Sequence, residues 1–236
     1  MRTIMKNYFK SMSAYLVLFV LVLSACSEDT ETTTQPTVEM RFKTISSASS
    51  VPSSERVAAN SLQFTSGSIT LTEIEFEAET AAGDSVEVNI QQNVVIDFAT
   101  GATTPDLGNL SFPVGTYTEV RVELELLDES NVPSVIIEGT FVDSNDESHP
   151  IRFEFNSGET FEVEKEGNIT FAAGASAIAE VTFDPLAWFA GVSGSMLEAA
   201  TKNGAGVIVI SETSNSDIFD IVADGLDLAT EVEIQL

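Results

Sequence analysis

The chain has 236 residues, with 37 acidic side chains against 10 basic ones, a formal net charge of −27 at pH 7, one histidine and one cysteine. That balance removes nucleic acid from the partners it suits, because phosphate binding needs a basic surface. It also argues against adsorption on anionic lipid headgroups. One cysteine allows no internal disulfide, so a domain of this length must rest on its hydrophobic core. One histidine allows no histidine-rich zinc site.

Arg2, Lys6 and Lys10 precede an apolar run over residues 14–23, which ends in Leu23-Ser24-Ala25-Cys26. A basic start, a short apolar stretch and small residues at its end predict a secretory signal peptide over residues 1–25. The run is about half the roughly 20 residues that a spanning helix needs. Leu-Ser-Ala-Cys resembles the lipobox of bacterial lipoproteins, which implies that the Cys26 thiol is acylated and that Cys26 becomes the N-terminus. The chain from Cys26 onward then carries seven basic residues against 37 acidic, −30 in all. Attachment to the membrane would come from the acyl chains, two or more of which hold a protein stably. Residues 26–36 follow as the lipidated cysteine and an acidic, Thr-rich tether without apolar side chains. Glu28 and Asp29 behind the cysteine resemble the surface-export signal of Bacteroidetes lipoproteins, which implies the outer membrane, facing outward.

Residues 37–183 show the alternation of half-buried strands. Val38, Met40 and Phe42 alternate with Glu39, Arg41 and Lys43, and Val86, Val88 and Ile90 form a second set. Residues 94–98 are a denser, more buried run, and Val120 to Leu126 alternate with Glu119, Arg121, Glu123 and Glu125. Residues 135–142, 151–155, 161–163 and 169–171 add further strands, separated by turn residues such as Ala82-Gly83-Asp84 and Glu166-Gly167-Asn168. A Ser-rich stretch, 46–54, is expected to be a loop. Short strands at regular spacing predict a mainly β fold, an antiparallel β-sandwich. One strand carries a phase error: Ile69 and Leu71 are odd, whereas Ile74, Phe76 and Ala78 are even. Either a β-bulge near Thr72-Glu73 restores one face, or the strand crosses between sheets.

Residues 184–236 change character, and short helices and strands packed on the sandwich are expected there. Asp184-Pro185 suits a helix start, with Leu186, Trp188 and Phe189 near one face. A second helix is expected over 195–202 and a buried strand over 207–210. A third helix, capped by Asn215 or Ser216, runs to Ala223 with Gly225 after its end. Val232, Ile234 and Leu236 form a final strand.

The run Val94-Val95-Ile96-Asp97-Phe98, then Leu107, then Phe112-Pro113-Val114-Gly115-Thr116-Tyr117 and Val120-Arg121-Val122, resembles bacterial lipoproteins with a prealbumin-like (transthyretin-like) β-sandwich. About 35 residues carry the likeness. It implies the fold and brings no catalytic residues. Its physical content is a tight Pro-Gly turn followed by a tyrosine whose hydroxyl bonds the backbone.

Each candidate site competes with a plainer explanation. Asp143, Asn145 and Glu147 place oxygen ligands at alternating positions, as calcium loops do, although Ser148 stands where an EF-hand has glycine; a polar hairpin tip explains them as well. Asp128-Glu129-Ser130-Asn131 is similar. His149, beside Pro150, is expected to be an exposed turn residue, and no Gly-x-Ser-x-Gly elbow accompanies it. Glu73, Glu75, Glu77 and Glu79 form a comb that suits a solvated face better than a glycosidase pair. Trp188 is expected in the core, against the alternative of stacking on a sugar. No catalytic or cofactor-binding residues are assigned; calcium is the one ion considered. The expected function is a lipid-anchored, non-enzymatic binding or structural module with a protein or glycan partner. The alternative is a subunit of a surface fibre, and a glycan-binding or glycan-processing protein is the third class.

Overall fold

The computed structural model describes residues 34–45, 62–129, 132–226 and 230–235. The expected signal peptide, Cys26, the expected tether as far as residue 33, the stretch 46–54 expected to be a loop and Ser130-Asn131 lie outside the described residues. In chain order the strands are β1 (Thr37–Thr44), β2 (Leu62–Glu79), β3 (Ser85–Asp97), β4 (Thr103–Thr104), β5 (Asn109–Ser111), β6 (Gly115–Leu126), β7 (Val135–Val142), β8 (Ser148–Phe155), β9 (Thr160–Phe171), β10 (Ser176–Phe183), β11 (Ile208–Ile210) and β12 (Thr230–Gln235). The helices are α1 (Pro185–Trp188), α2 (Gly194–Ala199) and α3 (Ser216–Leu226), with a 3-10 turn, Phe189–Gly191, after α1.

The fold is mainly β, in two sheets. One has the order β12-β10-β1-β5. The other runs β11-β8-β7-β2-β3-β4, with β6 also against β2 and β9 beyond β6. Its spine is β2, which pairs with β7 over its first half and β6 over its second, and with β3 from Ser68 onward. The phase error resolves as a bulge: the register against β3 and β6 shifts between Leu71 and Glu73. A second shift, between Phe64 and Ser66, faces β7. Thr65 and Thr72 are the residues left without opposite numbers in β7 and β6. Each extra residue inverts the alternation once. Leu62 and Phe64, then Ile69 and Leu71, then Ile74, Phe76 and Ala78 therefore all point into the core.

Most neighbours are antiparallel, but β1 runs parallel to β10 and β11 parallel to β8. This corrects the wholly antiparallel expectation. Thr37 lies opposite Ser176, 139 residues on, so no tight turn governs that pairing. The two sets expected at 86–90 and 94–98 fuse into β3.

Two aromatic groups fill the core. Phe76, Tyr117 and Phe171 surround Phe112 with ring centroids 5.0–5.4 Å apart. Phe161 of β9 meets Phe183 of β10 at 6.1 Å, joining the sheets. Toward the other end, Phe64 packs on Phe189 at 5.1 Å, and Phe153 and Phe155 stack near Phe219. Such pairs contribute about 0.5–1.5 kcal/mol each beyond their burial. The Tyr117 hydroxyl donates to the Pro113 carbonyl at 3.2 Å, so the turn before β6 is tied to its first buried ring.

The Asp184 carboxylate accepts from the Leu186 and Ala187 amides at 3.0 and 3.1 Å, with Pro185 opening α1. Trp188 at its end is fully buried. Gly225, expected beyond the end of its helix, lies inside α3. A Cβ there would stand 2.6 Å from the Trp188 carbonyl oxygen, so glycine lets the two backbones meet. Alanine would gain about 1 kcal/mol of helix propensity, but the overpacking, against main chain that cannot swing aside, costs about 1–3 kcal/mol. Gly225→Ala therefore lowers the thermal midpoint; a variant as stable as the wild type would show that α3 is not seated on α1.

Candidate functional site

The β7–β8 hairpin tip turns through residues 143–147. The Asp143 amide donates to the Glu147 carbonyl at 2.9 Å and the Asp146 amide to the Asp143 carbonyl at 3.1 Å. Asp146 takes the left-handed conformation at φ 61°, which aspartate tolerates better than most side chains. Asp143 organises the loop from within. Its Oδ1 accepts from the Asn145 amide at 2.8 Å and the Glu147 amide at 2.9 Å. Its Oδ2 lies 3.0 Å from His149 Nε2. The Lys202 ammonium lies 3.0 Å from His149 Nδ1. An ammonium can only donate, so Nδ1 accepts and the ring proton sits on Nε2, directed at Asp143. His149 lies in β8 with its side chain 16% exposed, beside Phe141. It is not the exposed turn residue expected from its place before Pro150. Inward parity at the strand start, and a partner on each side, hold it.

Long-range bonds fasten the tip to the C-terminal segment. The Ser144 amide donates to Glu198 Oε1 of α2 at 2.9 Å. Beyond α2, the Asn215 side-chain amide donates to the Thr201 and Val209 carbonyls at 3.0 and 2.7 Å, while its oxygen accepts from the Thr201 amide at 2.8 Å. Asn215 starts α3 with its backbone carbonyl, which accepts from Ile218 and Phe219; its side chain is spent on the neighbouring loop and on β11. Sequence reasoning missed Glu198 and Lys202 as partners, because nothing local marks a bond across more than fifty residues; for Asn215 it pointed to the helix start and not to Thr201 and Val209.

The three residues expected to ligate calcium behave differently from one another. Asp143 and Glu147 come together with His149, their donor atoms within 4.8 Å of one another. The exposed Asn145 contributes its backbone amide to Asp143. The assembled donor set is thus two carboxylates and an imidazole, with a lysine ammonium against the ring. At the other acidic turn, Glu129 pairs with Val132 as an isolated bridge, and Ser130 and Asn131 lie outside the described residues.

The glutamate combs meet on the outward face of the larger sheet. Glu87, Glu77, Arg121 and Glu164 form one row across β3, β2, β6 and β9. Asn89, Glu75, Glu123 and Glu162 form the next, then Gln91, Glu73, Glu125 and Thr160; Ser85, Glu79, Glu119 and Glu166 flank the other side. Strands lie about 4.8 Å apart, and like charges directly opposite one another destabilise a sheet. Arg121 offsets part of this, with Glu119 at 3.1 Å, Glu162 at 3.2 Å and Glu77 at 3.7 Å. Glu75 is held above the usual carboxylate range, by partial burial first and then by Glu87, Glu123, Glu77 and Glu73 around it. A shallow groove of about 420 Å³ on the other sheet includes Arg41, Lys43, Glu39 and Glu180; Arg41 is bonded to Glu39 and Lys43 lies 3.8 Å from Glu180. No family model, curated protein or solved structure gives a significant match to the chain.

Two titrations follow, of opposite sign. The His149 hydrogen bond, then the Glu147 amide, lowers the Asp143 carboxyl from 3.8 to about 2. A depressed carboxylate stabilises the fold above its unfolded value and loses that contribution as pH falls through the folded one. Asp143→Asn should therefore destabilise the protein at neutral pH and flatten the acid limb of its stability curve between about pH 4 and pH 2. Glu75 is raised, so its penalty is absent in acid and appears as pH rises through its titration. Glu75→Gln should raise the melting temperature at pH 7 with no gain below about pH 4. Stability curves of the two variants from pH 2 to pH 7 check both; parallel curves would sink the assignments.

Proposed function

We propose that the chain is a lipid-anchored cell-envelope protein, displayed at the outer membrane, whose β domain is a non-enzymatic binding or structural module of prealbumin-like type. The carrying observation is Leu23-Ser24-Ala25-Cys26 at the end of a short apolar run behind Arg2, Lys6 and Lys10. A second fact is compatible with it: among the described residues no helix is long and apolar enough to cross a membrane. The non-enzymatic part is supported by His149, whose two ring nitrogens are both occupied, leaving no lone pair free to take a proton from a nucleophile. The glycan reading is weakened by burial of Trp188, and the large hydrophobic side chains exposed among the described residues are aliphatic.

A second reading, a fibre subunit, is favoured by one feature. The C-terminal strand β12 lies at a sheet edge and pairs antiparallel with β10 from Ile178 to Phe183. An edge strand, paired on one side only among the described residues, can be exchanged for another copy's strand. Deleting residues 231–236 would abolish polymers under this reading; monomers alone in intact envelopes would remove it.

The anchor is tested by growth with labelled palmitate and by intact mass. The wild type should take up label and partition with membranes, with Cys26 at its N-terminus. Cys26→Ala should lose the label and the membrane partition while keeping the melting temperature of the domain. A water-soluble wild-type product with a free thiol at Cys26 would falsify the proposal.

A further inference from the structure

We propose that the open edge of β3, over residues 85–93, receives an extended peptide segment of another protein, one that alternates apolar and basic side chains. Three independent features of the edge meet there. The first is backbone pairing: among the described residues β3 pairs with β4 only at Val95 and Ile96, so the preceding stretch has β2 on one side and no strand on the other. A row of free amides and carbonyls is a template for strand addition. The second is an apolar stripe that stops short of cover. Ala78, Phe76 and Ile74 of β2 are 0–1% exposed, whereas Val86, Val88 and Ile90, directly opposite them in β3, are only half-buried. β5 of the opposite sheet has only three residues. A further strand beside β3 would carry the inner face one row outward and cover this stripe.

The third feature selects the occupant's other face. On the outward face Glu87 stands on the edge strand itself and Glu77 behind it in β2, with Glu75 and Glu73 in the next rows. An added strand with lysine or arginine at alternate positions would set cations against this face, where Arg121 is now the lone cation in the four rows of β3, β2, β6 and β9. The same charges oppose a second copy of this chain: pairing β3 with β3 would bring two glutamate faces together at a net −27 per chain. The edge carries few of the usual guards beyond one extra residue at Gln92-Asn93, where the register against β2 shifts. Over residues 85–93 the one charge is Glu87, with no proline or lysine. By contrast β9, at the far side, carries Glu162, Glu164, Lys165 and Glu166.

The inference rests on reading the chain as a binding module, yet it can fail without touching the anchor, since acylation of Cys26 is read separately by mass. The probe is a blocked eight-residue peptide alternating lysine and valine, titrated into the full chain. Its controls are the same residues arranged as two blocks and the alternating peptide with N-methylated amides. The alternating peptide should bind at least about tenfold more tightly than either control, ~1.4 kcal/mol. It should also slow hydrogen exchange within residues 85–93. Glu77→Lys with Glu87→Lys, both on the solvent face, should cut its affinity by about tenfold or more and favour an alternating glutamate–valine peptide instead. Equal binding of the block or N-methylated peptide would mean adsorption to charge and overturn the proposal. So would protection at another edge, absence of binding, or a dimer that protects 85–93 without peptide.

Discussion

One apolar face, carried unbroken along the 18 residues of β2, is the constraint on which the other elements depend. Strand side chains alternate with period two, so a strand this long would keep one face only if its sequence kept one parity. It does not: the inward positions change parity twice, and bulges at Thr65 and Thr72 absorb both changes. Burying a large apolar side chain stabilises by about 1.5–3 kcal/mol, so leaving Ile69 and Leu71 in water would cost more than a bulge removes in ladder hydrogen bonds, at roughly 1 kcal/mol each. The bulges also let β2 serve both ends of the core. Its second half lies under the four-stranded sheet, through Phe76 and Phe112, and its first half meets the C-terminal helices, through Phe64 and Phe189.

The outward face pays for this arrangement in charge. Because β3 and β6 flank β2 on both sides, the glutamates between its core residues stand directly opposite others. Repulsion across the strands is partly offset by Arg121 and is further screened by salt at the solvent surface. The same repulsion opposes the close approach of two such faces and discourages edge-to-edge pairing. The face is thus costly to the fold and unfavourable to a second face of like charge, a combination that leaves an oppositely charged strand as the addition the β3 edge would favour.

The hairpin tip follows a different logic. Asp143 satisfies its own loop with one oxygen and reaches His149 with the other, while Lys202 and Glu198 hold the tip from the C-terminal segment. Each contact is worth little alone at this exposure. Together they fix the loop against α2 and occupy the one histidine on both sides.

The alternation of Val38, Met40 and Phe42, the inward parity of Val120 to Leu126, the bulge near Thr72 and the Tyr117 turn were legible from the residue order, because each depends on neighbours within a few positions. So was the burial of Trp188 and the solvated setting of the glutamate combs. The parallel partner of β1, the second bulge at Thr65, the close approach at Gly225 and the clamp on His149 were not legible. In each of these the deciding group lies tens of residues away, and periodicity records which face is apolar without recording what will cover it. By itself the sequence determined a β-rich, strongly acidic chain; the tertiary structure alone decided which strands meet, since that choice is made by packing between distant segments and by which backbone edges remain unpaired.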